Sequence, residues 1–256
     1  MSETVLYAAE GGIAYLTLNR PQRRNALNQE MLETMLAGLA RAGEDDAVRA
    51  ICLQAAGEAA FCAGGDLSSA VPQAGRPGGA QLYAELLKAM AGHAKPLLAK
   101  VAAPCLAGGL GLVLASDIAI ARSDVYFCAP EVKVGIFPYM VGALLWRDVA
   151  WKKAMDLALS GRRVPAAEAE AMGLISRAVA PESFEEVTAQ VLAGLAAASP
   201  IGLRLGKDAF RRLQGLPLDQ ALDMLSADLA RAVQTEDAAE GLKAFVEKRR
   251  PEFKGR

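Results

Sequence analysis

Two glycine-rich stretches are the parts of this chain whose residue types and spacing could do chemistry. The first is Phe61-Cys62-Ala63-Gly64-Gly65-Asp66-Leu67 and the second is Ala107-Gly108-Gly109-Leu110-Gly111. Adjacent glycines carry no Cβ, so their backbone N–H groups can approach a ligand closely. The second stretch opens a short helix, whose first turn leaves N–H groups unpaired and carries partial positive charge. If Gly65 and Gly108 face each other, their two N–H groups form an oxyanion hole for the charge developing on a carbonyl oxygen. Taken alone, a Gly-Gly-Asp is an ordinary turn, and it is the second corner that opens another reading. Phe61 supplies an apolar wall beside the first.

Other chemistries fit less well. Gly109-x-Gly111 supplies the first two glycines of a dinucleotide fingerprint, but the third position is Leu114. The helix there is short, and Asp117 and Asp124 come too early for the acid that holds a ribose about 20 residues on. His93 is the one histidine, which excludes a multi-histidine metal site, and no metal is expected. A Ser-His-acid triad would need it together with a Gly-x-Ser-x-Gly turn, which the chain lacks. Its place late in a helix, before Lys95-Pro96, reads as a cation at a helix C-terminus. Cys52, Cys62, Cys105 and Cys128 sit singly among apolar residues with no Cys-x-x-Cys, as reduced thiols of a cytoplasmic protein do.

The 256 residues can bury a large core, and a net charge of −1 offers no basic face for nucleic acid. Met1 to Glu10 carries two glutamates and lacks the apolar core region of a signal peptide. One long uncharged run, Val101 to Ser116, contains Pro104 and three glycines. It falls short of the roughly 20 residues that span a bilayer, so no membrane is expected as a partner.

The two corners need elements to hold them. Val5–Ala9 and Ile13–Asn19 alternate across Gly11-Gly12, a hairpin signal. Arg20-Pro21 closes the second strand, and Gln22 to Asn28 is a polar loop. Asn28 can cap a helix to about Arg41, with Met31, Leu32, Met35, Leu36 and Leu39 as its apolar stripe. Strand Val48–Ala56 leads into the first corner. Ser68 to Gly79, rich in proline and glycine, has the composition of a mobile loop bordering a binding site. Helix Gln81–Gly92 and strand Leu97–Val101 lead to the second corner at Ala102–Gly108 and the short helix Gly109–Ser116. Strands Ile118–Ala121 and Val125–Cys128 come next, then an irregular segment Pro130–Pro138 and helices Val141–Val149 and Trp151–Leu159. A turn at Ser160–Arg163, a helix with Pro165 at its first position and strand Ile175–Val179 complete a wound α/β core. Only helices follow Ser183, at 185–198, 202–214, 218–234 and 236–248. The composition shift at Ser199-Pro200 divides the chain into an α/β core, residues 1–198, and a helical tail, residues 199–256. Met31, Met140, Leu144 and Leu145 could belong to the core or to a pocket, and methionine at helical spacing is more often core.

In this order and spacing, several segments resemble the crotonase, or enoyl-CoA hydratase/isomerase, superfamily over nearly the whole chain. Leu18-Asn19-Arg20-Pro21 with Asn25-Ala26-Leu27 is similar to its first motif. Phe61 to Leu67 resembles its first oxyanion corner, and Ala107-Gly108-Gly109 through Ser116-Asp117 its second. Pro130-Glu131 with Gly135-Ile136-Phe137-Pro138 resembles its catalytic-acid segment. Leu159-Ser160-Gly161-Arg162 and Ala169 with Met172-Gly173-Leu174-Ile175 resemble its later core. Glu240-Gly241, Phe245, Glu247-Lys248-Arg249 and Pro251 with Phe253 resemble its C-terminal signature.

The resemblance implies an α/β spiral of ββα units with a helical C-terminal region that makes trimer contacts, as a homotrimer or a dimer of trimers. It implies an acyl-CoA thioester as ligand, no metal, and no cofactor beyond the coenzyme A carried by the substrate. By position, Gly65 and Gly108 would donate the N–H groups that hold a thioester enolate. Ala63, Asp66 and Leu67 would lie along the ligand, with Asp66 serving chiefly the loop's geometry. Arg23 and Arg24 would stand near the CoA entrance, where guanidinium groups suit phosphates. Phe245 and Lys248 would reach a neighbouring subunit's acyl or CoA site. Plainer readings stand beside these: solvated loop charge for the arginines, helix packing for Phe245 and a surface charge for Lys248.

The hydratases of that family use two glutamates, which by position would fall at Gly111 and Glu131. This chain keeps only Glu131. It also has Tyr139 after Pro138, where the hydratases have a glycine whose backbone helps hold the water. Hydration needs water activation and proton delivery, which two acids serve best, whereas a 1,3-proton shift needs one base. The expectation is a 3-enoyl- to 2-enoyl-CoA isomerase with Glu131 as general base, its pKa raised by neighbours such as Val132, Ile136 and Phe137. The alternatives are a 2-enoyl-CoA hydratase using Glu131 alone, and an acyl-CoA-binding protein without catalysis. The plain reading of Glu131 is a capping carboxylate.

Overall fold

A computed structural model describes residues 3–66 and 78–256. Leu67 and the expected loop from Ser68 to Pro77 lie outside the described residues. The chain begins with the hairpin β1 (Val5–Glu10) and β2 (Ile13–Leu18), antiparallel with Val5 opposite Leu18. Its turn places Gly11 and Gly12 at φ of 59° and 80°, a conformation that glycine adopts without strain. α1 (Gln29–Glu44) starts where Asn28 Oδ1 accepts the Met31 N–H at 2.9 Å. In chain order there follow β3 (Ala50–Ala55), α2 (Gly79–Ala91), β4 (Leu97–Val101), β5 (Cys105–Leu106), α3 (Gly108–Leu114), β6 (Ile118–Arg122) and β7 (Tyr126–Cys128). A short 3-10 helix (Pro130–Val134), α4 (Tyr139–Asp148), α5 (Trp151–Ser160), β8 (Arg163–Pro165), α6 (Ala166–Ala171) and β9 (Arg177–Val179) close the core. α7 (Phe184–Ala197), α8 (Pro200–Arg212), α9 (Leu218–Ala232) and α10 (Glu236–Glu247) complete the chain.

The strands form a six-stranded sheet, β1-β2-β3-β4-β6-β9, parallel except for the hairpin, and a three-stranded sheet, β5-β7-β8. In the units β4–β5–α3 and β6–β7 the first strand joins the large sheet and the second the small one, so the chain winds as a spiral of ββα units. Parallel strands covered on both faces read as continuous apolar runs, as β3 does. Alternate residues then divide between two cores. Leu16, Leu18, Leu53, Leu97 and Ala99 face α1 and α2, whereas Ile13, Cys52, Leu98 and Ile120 face Phe184 and Leu192 of α7. Each fully buried Leu or Phe of this kind contributes about 1.5–3 kcal/mol relative to an exposed one. Met31 and Leu145 belong to the first core, with Met140 and Leu144 packed against it.

Several boundaries differ from the sequence reading. β5 is only two residues long and pairs with β7, a strand too short to show a pattern. α2 begins at Gly79, inside the expected loop. Pro165 ends β8 and caps α6 rather than opening it. The uncharged run from Val101 to Ser116 is split among β4, β5 and α3. No single helix among the described residues is long and apolar enough to cross a membrane, and α7 and α8 meet at 100°. His93 does not stand as an exposed cation at a helix end: it is partly buried, and burial pushes its pKa down against the opposing effect of the Lys95 and Leu39 carbonyl oxygens, each 3.2 Å from a ring nitrogen.

Candidate active site

The two glycine corners and Glu131 come together because each follows the second strand of a successive turn of the spiral. Phe61 N–H donates to Pro104 O and Leu106 N–H to Cys62 O, both at 2.9 Å, which joins the first turn to the second. Ala107 N–H donates to Cys128 O at 2.9 Å, which joins the second to the third. Cys62 stands opposite Cys105, and Cys105 opposite Phe127. Carrying that register along the chain sets Gly65 beside Gly108 and Gly108 beside Pro130, the residue before Glu131. The corners abut: a Cβ on Gly64 would lie 2.5 Å from Ala107 Cβ and 3.0 Å from Gly108 N. Gly64 sits at φ +92°, so both its conformation and its surroundings require glycine.

Neither corner N–H donates to an acceptor among the described residues. The Leu27–Gly65 bridge uses the neighbours of Gly65: Leu27 N–H donates to Gly64 O at 2.7 Å, and Asp66 N–H to Leu27 O at 2.8 Å. The N–H of Gly65 itself therefore points to the opposite side of its strand. A Cβ there would meet nothing within 4 Å. Gly108 is the first residue of α3, so its N–H has no acceptor inside the helix. Ala107, the preceding N-cap, holds φ 50° and ψ −126°, which alanine adopts only at a cost of about 1–3 kcal/mol. That turn aims the Gly108 N–H, and an alanine in the sequence gives no hint of it.

Glu131 is the second residue of the 3-10 helix that Pro130 begins. Its Oε2 is buried with no hydrogen-bond partner. Burial lifts its pKa above the ordinary glutamate value, against a smaller opposing effect of its own backbone N–H. The direction matches the sequence expectation. Of the three apolar neighbours named there, Ile136 is 50% exposed and shields least. An unpaired, partly desolvated carboxylate oxygen is suited to accept a proton. Asp66 is committed elsewhere: Arg20 Nη2 meets its Oδ2 at 3.0 Å, while Arg20 Nη1 donates to Ala26 O at 2.6 Å.

The polar loop after β2 splints the first corner. Asn25, fully buried at φ 52°, accepts the Arg20 N–H at 2.8 Å. Its amide donates to Ala56 O at 3.0 Å and Ala60 O at 2.9 Å. Arg24 O accepts the Ala63 N–H at 3.0 Å, which seats the exposed side chains of Arg23 and Arg24 beside the corner. Phe245 and Lys248 are not brought to it within one chain. α10 packs on α8, and Phe245 is 83% exposed there, with Lys248 exposed at the helix end.

Tyr83 is a site residue that sequence reasoning missed. It lies on α2, and its hydroxyl donates to Gly108 O at 2.5 Å. The same hydroxyl occupies the space of a side chain at Gly111, where a Cβ would lie 2.0 Å from Tyr83 Oη. The only signal in the sequence was a tyrosine on the apolar face of a helix next to the corner, which is also what a core residue shows.

The sequence profile of the family described as Enoyl-CoA hydratase/isomerase matches residues 8–256. A protein of Rhizobium meliloti (strain 1021) named "Probable enoyl-CoA hydratase" is 37% identical over 255 residues, covering 99% of each chain. The "1,2-epoxyphenylacetyl-CoA isomerase" of Escherichia coli (strain K12) is 34% identical over 265 residues, covering 100% of each. Among solved structures, the enoyl-CoA hydratase of Mycobacterium smegmatis superposes with a TM-score of 0.90 at 31% identity, covering 98% of this chain and 99% of that one.

Proposed function

The chain belongs to the enoyl-CoA hydratase/isomerase family of acyl-CoA enzymes, and within it we propose a 3-enoyl-CoA to 2-enoyl-CoA isomerase. The observation that carries the reading is the state of the carboxylates. Glu131 Oε2 is buried and unpaired, whereas Asp66 is held by Arg20 and Gly111 offers no acid. In this reading Glu131 takes a proton from C2 of the thioester. The electron pair moves onto the carbonyl oxygen, where the Gly65 and Gly108 N–H groups stabilise the enolate; one such donor is worth about 10²–10³ in rate. Glu131 then returns the proton to C4, which leaves the double bond between C2 and C3. The reaction is redox-neutral and calls on no group beyond the coenzyme A that the substrate carries. Ala63 and Asp66 border the ligand, and Arg23 and Arg24 take its phosphates.

The hydratase reading is the second one, and the name of the Rhizobium relative favours it. Purified protein given 3-enoyl-CoA and 2-enoyl-CoA in separate reactions distinguishes the two. Conversion of the 3-enoyl substrate to the conjugated thioester is expected. Efficient formation of a 3-hydroxy product from the 2-enoyl substrate would overturn the isomerase assignment, and binding without turnover would point to an acyl-CoA-binding protein.

Self-association belongs to the same reading. Leu218, Leu222, Leu229, Leu242, Phe245 and Val246 expose apolar surface on α9 and α10. A homotrimer or dimer of trimers would cover it and would carry Phe245 and Lys248 to a neighbour's site. The four free, buried cysteines suit a reducing, cytoplasmic setting.

A further inference from the structure

The second corner is built from a segment with little to hold it. Three of the first four residues of α3 are glycines, its N-cap is a strained alanine, and no side chain caps it. A helix start of this composition is loose on its own, because glycine gives up the most conformational freedom on folding. One side chain from another element holds it. Tyr83, only 8% exposed, reaches from α2 to donate its hydroxyl proton to Gly108 O at 2.5 Å.

We propose that Tyr83 is a positioning residue, which fixes the Gly108 peptide through its hydroxyl and, by filling the space over Gly111, leaves no room for a second acid there. The carbonyl and the N–H of Gly108 share one Cα, so a bond that holds the first restrains the aim of the second. The contact admits no side chain on the facing residue, since a Cβ at Gly111 would meet Tyr83 Oη at 2.0 Å, Cζ at 3.1 Å and Leu87 Cδ2 at 3.3 Å. Burial, with Cys62, Cys105 and Glu131 close by, holds the phenol pKa well above its ordinary value. The hydroxyl thus stays protonated and remains a donor whatever the state of Glu131.

This inference rests on the reading that the Gly108 N–H bears on an enolate oxygen, so its test follows enolate formation alone. Deuterium exchange from solvent into the α-carbon of butyryl-CoA requires only proton removal and return, and is blind to isomerisation and hydration. Tyr83→Phe keeps the ring and loses the hydroxyl. It should lower the kcat of exchange about tenfold while KM stays within about twofold, the pattern of a lost transition-state interaction. Gly111→Ala, which pushes the hydroxyl away, should lower it similarly. The two together should lose no more than either alone, because both break one contact. Exchange at the unsubstituted rate in folded Tyr83→Phe, or additive losses in the double variant, would overturn the role of Tyr83 while the enolate reading stands. Absence of exchange in the unsubstituted protein, with butyryl-CoA bound, would overturn both.

Discussion

Replacing Glu131 by glutamine should make the protein more stable at neutral pH while stopping its chemistry. Oε2 is buried without a partner, and burial raises the pKa from its ordinary value of 4.5. The folded chain therefore binds this proton more tightly than the unfolded chain does. Between the ordinary value and the raised one, the unfolded state has released the proton and the folded state has not. Stability consequently falls as pH rises through that window, and above it the folded protein carries an ionised, unpaired oxygen. Leaving such a buried acceptor unsatisfied costs about 1–3 kcal/mol. A neutral amide of the same shape still buries a dipole, so a gain of about 1 kcal/mol is expected, which for a chain of this size raises Tm by about 2–4 °C. Below the window both proteins hold a neutral group there and should melt alike. Loss of the general base should lower kcat by about 10²–10⁴, with KM for the acyl-CoA nearly unchanged. Thermal melts of the two proteins across pH, run beside turnover assays, measure both effects. A glutamine variant that melts at or below the unsubstituted protein at neutral pH would refute the buried-charge argument, and retained turnover would refute the assignment of the base.

The two glycines of the first corner should respond in opposite ways. Gly64→Ala forces a side chain into φ +92° and to within 2.5 Å of Ala107 Cβ, and should cost about 2–4 kcal/mol, read as a lowered Tm. Gly65→Ala meets nothing within 4 Å, so stability should stay within about 0.5 kcal/mol. Its methyl group enters the space reserved for the ligand, and kcat/KM should fall at least about tenfold. Asn25→Ala removes three hydrogen bonds, two of which tie the polar loop to the segment leading into the first corner, and should lower stability by about 3 kcal/mol, measured by urea denaturation.

Hydrophobic alternation and the Gly11-Gly12 turn gave the hairpin away, and Asn28 three residues before Met31 gave the start of α1, because both are local signals. The parallel strands and the C-terminal helices were legible for the same reason. The small sheet was not: β5 holds two residues, and its pairing with β7 is decided across 19 intervening residues. Gly65, Gly108 and Glu131 stood out as residue types in motifs. Their convergence follows from the register of three successive turns of the spiral, which no single stretch encodes. Ala107 and Tyr83 were silent for another reason. An alanine at positive φ and a tyrosine whose hydroxyl serves a neighbouring helix look ordinary until the backbone around them is seen. The single histidine misled in the opposite direction, since burial, and not its place after a helix, is the main influence on its pKa.

The register that sets Gly65 beside Gly108 also acts as a ruler. Neighbouring strands lie about 4.8 Å apart, a distance fixed by backbone hydrogen bonding and not by any side chain. An oxygen placed about 2.9 Å from each of two nitrogens at that separation would see them at an angle of about 110°. That angle is close to the one between the lone pairs of a carbonyl oxygen becoming an enolate. The spiral would thus supply an oxyanion site of the right width from its own repeat, with the alignment of the corners left to the few residues that hold them. Substitutions elsewhere on each turn could then change which proton moves without altering where the negative charge is held.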